Sequence, residues 1–139
     1  MATPNGLNPS FDHPTLNTPI ETHTPQAVNA TATLTVGQVK SGYITSTSAA
    51  AVTMTLPTGT LLGAELGAVQ GTKLDLYIDN TAGANTVTVA VATNGILSSA
   101  AADTAGSFGD LTIASGVTGI GRFTLMFSSP TAYVFTRTA

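Results

Sequence analysis

Few residues of this chain could carry acid–base or metal chemistry. It has two histidines, His13 and His23, seven acidic residues and no cysteine. Zinc sites need several histidine, cysteine or carboxylate ligands held close together. The two histidines lie ten positions apart in a proline-rich stretch, so nothing holds them rigidly together or beside Asp12 or Glu21. The sequence therefore predicts neither a zinc site nor a Ser–His–Asp nucleophile.

Two aspartates form the other candidate set. Asp75 and Asp79 are four positions apart on one predicted strand and could join Asp103 or Asp110 in a calcium site. Calcium takes six or more oxygen ligands, usually from several carboxylates. Two solvated aspartates explain this pair better. We therefore predict no metal, no cofactor and no enzymatic activity.

Three tyrosines could offer a surface on which a sugar ring stacks. They are Tyr43, Tyr77 and Tyr133, and they lie on three different predicted strands. Because they are so widely spaced, the pattern indicates packing residues, each with one polar end.

The clearest structural pattern lies in residues 72–91. Two runs of strict alternation are separated by a segment rich in Asn, Asp and Gly, which are turn-forming residues. A period of two places one set of side chains on each face of a strand. The pattern predicts a β-hairpin with a long loop and two buried sets of side chains, Leu74, Leu76 and Ile78 on the first strand and Val87, Val89 and Val91 on the second.

Alternation typical of strands continues through most of the chain after residue 29. Further strands are predicted at residues 31–36, 42–48, 51–56, 95–100 and 110–114, and a closing hairpin at 122–128 and 132–138 with Pro130 in its turn. Residues 58–66 contain three glycine-spaced leucines and predict one short helical turn rather than a full helix. No repeat of 20–50 residues is visible, which argues against a solenoid. The expected fold is all-β, an antiparallel two-sheet sandwich of about eight strands over residues 29–139. We favour a jelly roll, which periodicity does not separate from a Greek-key sandwich.

Residues 1–28 have a different composition from the rest of the chain. They hold five of the seven prolines, which exclude helix and sheet interiors and favour an extended chain. Between the prolines, Leu7, Phe11, Leu16 and Ile20 recur every four or five positions. The segment is therefore either a disordered tail or an extended arm that orders on a partner by placing these four side chains in shallow pockets.

The overall composition narrows the class of partner. Charged residues are 8% of the chain, against about 25% in typical globular proteins. No apolar run approaches the ~20 residues of a membrane-spanning helix. With four basic residues and a net charge of −3, the chain lacks the cations that nucleic-acid binding requires. We therefore expect binding to other proteins, and neither to nucleic acid nor to membranes.

One group of residues suggests a family. The sequence contains Leu56-Pro57-Thr58-Gly59, then Gly71-Thr72 leading into the alternating residues 73–81, then Thr86-Val87-Thr88-Val89-Ala90, and an aromatic last hairpin at residues 123–135. Over residues 51–137 this resembles the head decoration or cement proteins of tailed phages and related fibre modules. In size and layout it is most similar to the jelly-roll cement protein of short-tailed phages. The resemblance implies a homodimer on the outer surface of the virion capsid that stabilises the shell by clamping neighbouring major capsid protein subunits. It implies no catalytic residues.

Two other functions stay open at this point. The chain could be a receptor- or glycan-binding head or tail fibre module of a phage particle, recognising its ligand through exposed loops such as residues 100–109. Glycan binding usually requires exposed aromatic residues and clustered Asn or Asp, and that loop offers only Phe108, Asp103 and the adjoining Asp110. A small hydrolase is the third class, and the absence of histidine and cysteine from residues 29–139 argues against it.

Overall fold

A computed structural model describes residues 20–97 and 111–139. Within them it contains ten strands and two helices. The strands are β1 (Gln26–Ala27), β2 (Ala32–Thr33), β3 (Tyr43–Thr45), β4 (Val52–Thr55), β5 (Lys73–Asp79), β6 (Val87–Ala90), β7 (Gly95–Leu97), β8 (Thr112–Ile113), β9 (Ile120–Ser129) and β10 (Ala132–Arg137), and the helices are α1 (Val36–Ser41) and α2 (Gly59–Leu66). The protein is mostly β, as the alternation predicts.

The strands form two sheets of mixed orientation. A large sheet has the order β1-β3-β5-β9-β10-β7, and a small sheet has the order β2-β4-β6-β8. Of the eight strand pairings among the described residues, five are parallel and three are antiparallel. The prediction of antiparallel sheets is therefore wrong, and the jelly-roll prediction is not confirmed.

The parallel pairings arise because the chain alternates between the two sheets. β1, β3 and β5 lie in the large sheet, whereas β2, β4 and β6 lie in the small one. Helices α1 and α2 return the chain to the large sheet, so β3 and β5 run parallel to the previous strand of that sheet, and β4 and β6 do the same in the small sheet. The chain advances 18 residues between the partners Gln26 and Ile44, but 34 residues between Ile44 and Ile78. Because these two spacings differ, no sequence period reveals the parallel pairings.

The predicted hairpin at residues 72–91 is wrong in its pairing but right in its buried faces. β5 pairs with β3 and β9, whereas β6 pairs with β4 and β8 in the other sheet. Residues 80–86 between them are long enough to cross the roughly 10 Å that separates packed sheets. Alternation shows that each strand buries one face, but it does not show which sheet the strand joins.

The two sheets share one hydrophobic core. Side chains from both sheets form a single cluster of buried residues. Its members include Ile44, Leu76, Ile78, Phe123, Leu125, Phe127, Tyr133 and Phe135 from the large sheet and Val52, Met54, Val87, Val89 and Ile113 from the small sheet. The closing hairpin is confirmed, because β9 and β10 are antiparallel and only Pro130 and Thr131 separate them.

The last residues of the predicted arm belong to the large sheet. Gln26 and Ala27 form β1 and pair with Ile44 and Thr45, and Val28 is buried in the core. Leu7, Phe11 and Leu16 lie outside the described residues, as does the loop at residues 100–109. The arm itself therefore stays a prediction.

A threonine caps the start of each helix, and a glycine caps its end. Thr35 caps α1 in a capping box with Gln38, so the strand predicted at residues 31–36 ends early. Thr58 caps α2 through a hydrogen bond from the Leu61 N–H to its Oγ1, and Gly67 ends that helix with φ 61°. The prediction of a single helical turn at residues 58–66 is therefore wrong, because glycines that weaken a helix in isolation are compensated by caps and packing.

Gly63 lies in α2 where a side chain cannot fit. A Cβ there would overlap the carbonyl oxygen of Pro130, which is backbone and cannot move aside easily. We expect Gly63→Ala to lower the free energy of unfolding by about 1–3 kcal/mol from overpacking, although alanine favours a helix by about 1 kcal/mol over glycine. Gly37→Ala in α1 is the matched control. Its Cβ would meet only Thr35 Oγ1, at 3.9 Å, and it should stabilise the protein slightly. Urea unfolding measures both effects, and two changes of the same sign would contradict this assignment.

Candidate functional site

The outer face of the large sheet carries most of the exposed charge of the described chain. Along β5, Lys73, Asp75, Tyr77 and Asp79 point outward, and they alternate with core residues such as Leu76 and Ile78. In β9, Thr124 lies opposite Asp75 and Arg122 lies opposite Tyr77. We call Lys73, Asp75, Tyr77, Arg122 and Thr124 the charged strip.

Asp75 organises this strip. Its Oδ1 accepts a hydrogen bond from the Thr124 hydroxyl at 2.7 Å, and its Oδ2 accepts one from Lys73 Nζ at 3.0 Å. Arg122 Nη2 is 3.5 Å from the same Oδ2. Partial burial raises the pKa of Asp75, but the hydrogen bonds from Thr124 and Lys73 outweigh it and hold the pKa below its ordinary value. Asp75 is therefore an ionised anchor with both oxygens engaged, and it is poorly suited to act as a general base.

The ring of Tyr77 has two neighbours, the guanidinium of Arg122 and the ring of His23. The Arg122 guanidinium carbon is 5.8 Å from the centre of the Tyr77 ring, and the His23 ring centre is 6.4 Å from it. His23 Nδ1 lies 2.7 Å from the carbonyl oxygen of Ser41. Because a carbonyl only accepts, Nδ1 carries the proton. This hydrogen bond attaches the segment that precedes β1 to the end of α1.

A hollow of about 350 Å³ opens beside the charged strip. It is lined by Glu21, His23, Lys40, Gly42, Lys73, Leu74, Asp75 and Tyr77. Two of the four basic residues of the chain, Lys40 and Lys73, line it, and a third, Arg122, binds the Asp75 that forms part of its wall. The fourth, Arg137, is buried elsewhere and donates to the carbonyls of Thr112 and Ala139. The hollow combines a mixed charge with an aromatic and aliphatic wall.

The aspartates of the calcium hypothesis are engaged separately. Asp79 accepts hydrogen bonds from the Tyr43 hydroxyl at 2.7 Å and from the backbone and hydroxyl of Thr81 at 2.9 and 2.6 Å. Asp103 and Asp110 lie outside the described residues, as do His13 and Asp12 of the zinc hypothesis. Among the residues that the structure describes, no group of three or more histidine or acidic side chains is arranged to hold a metal ion.

The protein should become less stable in acid as Asp79 is protonated. Hydrogen bonds from Thr81 lower its pKa below the ordinary value of 3.8. Because the ionised form is favoured in the folded state, this stabilisation is present above that value and is lost as the pH falls through the folded-state pKa. We expect Asp79→Asn to be less stable than the original protein at pH 7 and the difference to shrink towards pH 2.5. Urea unfolding over this range measures it, and a difference independent of pH would contradict the assignment.

An exposed apolar row crosses the same face of the large sheet. Ile96 on β7 pairs with Val134 on β10, which pairs with Met126 on β9, which pairs with Lys73 at the hollow. Ile96 is 51% exposed and Met126 is 42% exposed. We call Ile96, Val134 and Met126 the apolar row. It extends from the hollow to the β7 edge of the sheet, and exposed apolar surface of this kind is typical of contact surfaces.

The structure brings together some of the residues considered from the sequence and separates others. Tyr43 and Tyr77 are paired neighbours on the outer face, whereas Tyr133 is buried and donates to the carbonyl of Pro57 at 2.9 Å. Burial raises the pKa of Tyr133 to about 12. Ile20, the first described residue, is 93% exposed.

The hollow leaves no recognisable pattern in the sequence. Alternation along β5 placed Lys73, Asp75 and Tyr77 on a polar face, but it carried no signal that Lys40 and His23 join them. These two come from the end of α1 and from the segment before β1. Only the parallel stacking of β1, β3 and β5 brings these parts of the chain to one place.

No family model, curated protein or solved structure matches this chain. Within the described residues, neither helix is long and apolar enough to cross a membrane. A function must therefore be argued from the fold and from the outer face of the large sheet.

Proposed function

We propose that this protein is a non-enzymatic structural protein that binds the outside of a phage capsid and stabilises it by bridging major capsid protein subunits, as a homodimer. In this proposal the two sheets form a β-sandwich. The jelly-roll connectivity of the cement proteins that the sequence resembles is not part of the proposal, because five of the eight described strand pairings are parallel.

The observation that carries the proposal is the convergence of three features on one face. The apolar row, the charged strip and the start of the described chain all lie at the outer face of the large sheet, since Glu21 and His23 line the hollow there. Surfaces that bind proteins combine an apolar centre with a polar surround. A segment that leaves the domain at this face could extend the contact onto a neighbouring subunit.

The energetics favour several linked contacts. One interface of ~800 Å² per partner can be as weak as micromolar. A two-fold dimer doubles the contacts, and a tethered second contact acts at high effective concentration. The 19 residues before Ile20 would reach about 60 Å if extended, so an arm could contact a second subunit.

Sedimentation with capsids tests the proposal directly. Purified protein is mixed with undecorated shells assembled from the major capsid protein of the same genome, and the copies bound per shell are counted. We expect saturation at a fixed number of copies. The absence of co-sedimentation would overturn the proposal, and a glycan-array signal from the isolated protein would support the fibre-module alternative instead.

Substitutions on the apolar row locate the contact. A double variant, Met126→Ser with Ile96→Ser, should bind shells more weakly without losing its fold, because both side chains are already half exposed. The matched control is Val69→Ser with Val117→Ser, which removes two exposed valines outside the large sheet. If the control weakens binding equally, the outer face of the large sheet is not the contact.

Removal of residues 1–19 should weaken shell binding by at least about tenfold while leaving the domain folded, because tethered contacts act at high effective concentration. Deleting residues 1–28 is a poorer test, since it also removes β1 and the buried Val28. Occupancy of shells and thermal unfolding are measured together. A full-length variant with serine at Leu7, Phe11 and Leu16 is the control that keeps chain length. Unchanged occupancy in both variants would reject the arm's role.

A further inference from the structure

We infer that the hollow beside the charged strip binds the carboxylate of an acidic side chain on an extended segment of a partner protein. This inference rests on the proposed function, because it names the chemistry that a protein partner would present to this face. It is carried by the hydrogen-bonding capacity, the charge and the walls of the hollow.

Among the described residues, the free donors of the hollow are the ammonium groups of Lys40 and Lys73, and its free carboxylate is that of Glu21. Both oxygens of Asp75 are occupied by Thr124, Lys73 and Arg122, so Asp75 has little left to offer a ligand. Within the described residues, Lys40 makes neither a side-chain hydrogen bond nor an ion pair, and Lys73 bonds only Asp75. A group that binds the two lysines must accept hydrogen bonds, as a carboxylate does.

The charge of the hollow points the same way. Lys40 and Lys73 line the hollow together with Glu21 and Asp75. Arg122 lies outside the lining but pairs with Asp75, so the three basic residues exceed the two acidic ones by one, in a chain whose net charge is −3. Three of the four basic residues therefore lie in or beside the hollow, and the fourth, Arg137, is buried. Glu21 is the one lining carboxylate that makes no ion pair among the described residues, so it would repel an acidic ligand and should limit its affinity.

The walls favour a carboxylate on a side chain over a free phosphate. The Tyr77 ring supplies apolar surface for methylene groups. Arg122, the one guanidinium near the hollow, already binds Asp75 and covers Tyr77. Lysine binds phosphate as well as carboxylate, so inorganic phosphate is the competing ligand in the test.

Nuclear magnetic resonance of the full-length protein tests the inference. The probe is an acetylated and amidated tetraglutamate peptide at low salt, and tetraglutamine is its uncharged counterpart. We expect saturable shifts of the amide signals of Lys40, Gly42, Lys73 and Tyr77 with tetraglutamate alone. Equal shifts with tetraglutamine, or saturable shifts with inorganic phosphate and none with tetraglutamate, would overturn the inference.

Variants separate a site from a general charge effect. Lys40→Met with Lys73→Met should weaken tetraglutamate binding about tenfold, because two charges that face the ligand are lost. Glu21→Gln should strengthen it about two- to threefold, the size of one exposed charge pair. Glu65→Gln changes the net charge equally but lies on α2, away from the lining residues, and it should leave affinity unchanged. If Glu65→Gln strengthens binding as much as Glu21→Gln, the inference fails.

The same variants distinguish this inference from the proposed function. If the protein binds the peptide saturably but does not sediment with shells, the hollow is a carboxylate site and the capsid role is rejected. Shell binding that is insensitive to Lys40→Met with Lys73→Met, together with no saturable peptide binding, would reject the hollow and keep the capsid role.

Discussion

Asn80→Asp should destabilise the protein by about 3–5 kcal/mol, the cost typical of a buried charge without a partner. The two side chains have nearly the same shape, so the effect comes from the lost donor and the added charge and not from packing. Asn80 is fully buried where the chain leaves β5, and its Nδ2 lies 2.8 Å from the carbonyl oxygen of Asn85, 3.0 Å from that of Ala114 and 3.3 Å from that of Ile113. A carboxylate would place an acceptor against three acceptors.

The pH dependence and a matched control make this test specific. Because burial raises the pKa of an introduced carboxyl group, its protonated form is favoured in the folded state, and the destabilisation should grow as the pH rises from about 4 to 7. Asn29→Asp is the control. Asn29 is exposed and uses its Oδ1 to accept from the Thr47 N–H at 2.8 Å, which an aspartate also does. Its effect should stay within about 0.5 kcal/mol. Equal losses in both variants, measured by urea unfolding, would contradict the role of Asn80 as a donor.

Phe135→Ala should cost about 3–5 kcal/mol, as large-to-small changes at buried aromatic residues do. Phe135 is almost fully buried, and its ring stacks on that of Phe123 with centres 5.1 Å apart and planes within 6°. Alanine would remove this contact and leave a cavity at the centre of the core that the two sheets share. Urea unfolding of the purified variant measures the loss.

The neighbouring residue on the same strand provides the comparison. Val134 belongs to the apolar row on the outer face and is only half buried. Val134→Ala should cost less than about 1 kcal/mol. A larger loss for Val134→Ala than for Phe135→Ala would mean that the inward and outward faces of β10 are assigned the wrong way round.

These two predictions have different origins in the sequence. That Tyr133 and Phe135 share a face follows from alternation along residues 132–138, although alternation does not show which face is buried. The importance of Asn80 does not follow from the sequence, because asparagine after a strand is also typical of an exposed turn. Only the return of residues 113–114 beside the end of β5 makes its amide a buried donor.

The candidate site, like these two residues, can be predicted only in part from the sequence. The polar face of β5 is visible in the order Lys73, Asp75, Tyr77. The partners of that face are not, because Arg122, Lys40 and His23 come from distant segments. The paired tyrosines illustrate the same limit, since Tyr43 and Tyr77 are 34 positions apart in the sequence and adjacent in the sheet.

By itself the sequence determined the β-rich class, the side chains that share a face and the closing hairpin, because a period of two and a tight turn depend only on neighbouring residues. The tertiary structure decided which sheet each strand joins, the parallel direction of most pairings and the full length of α2. These depend on contacts between segments far apart in the chain: the path of the chain from sheet to sheet, and the packing of Gly63 against Pro130. The hollow is a product of the same long-range contacts.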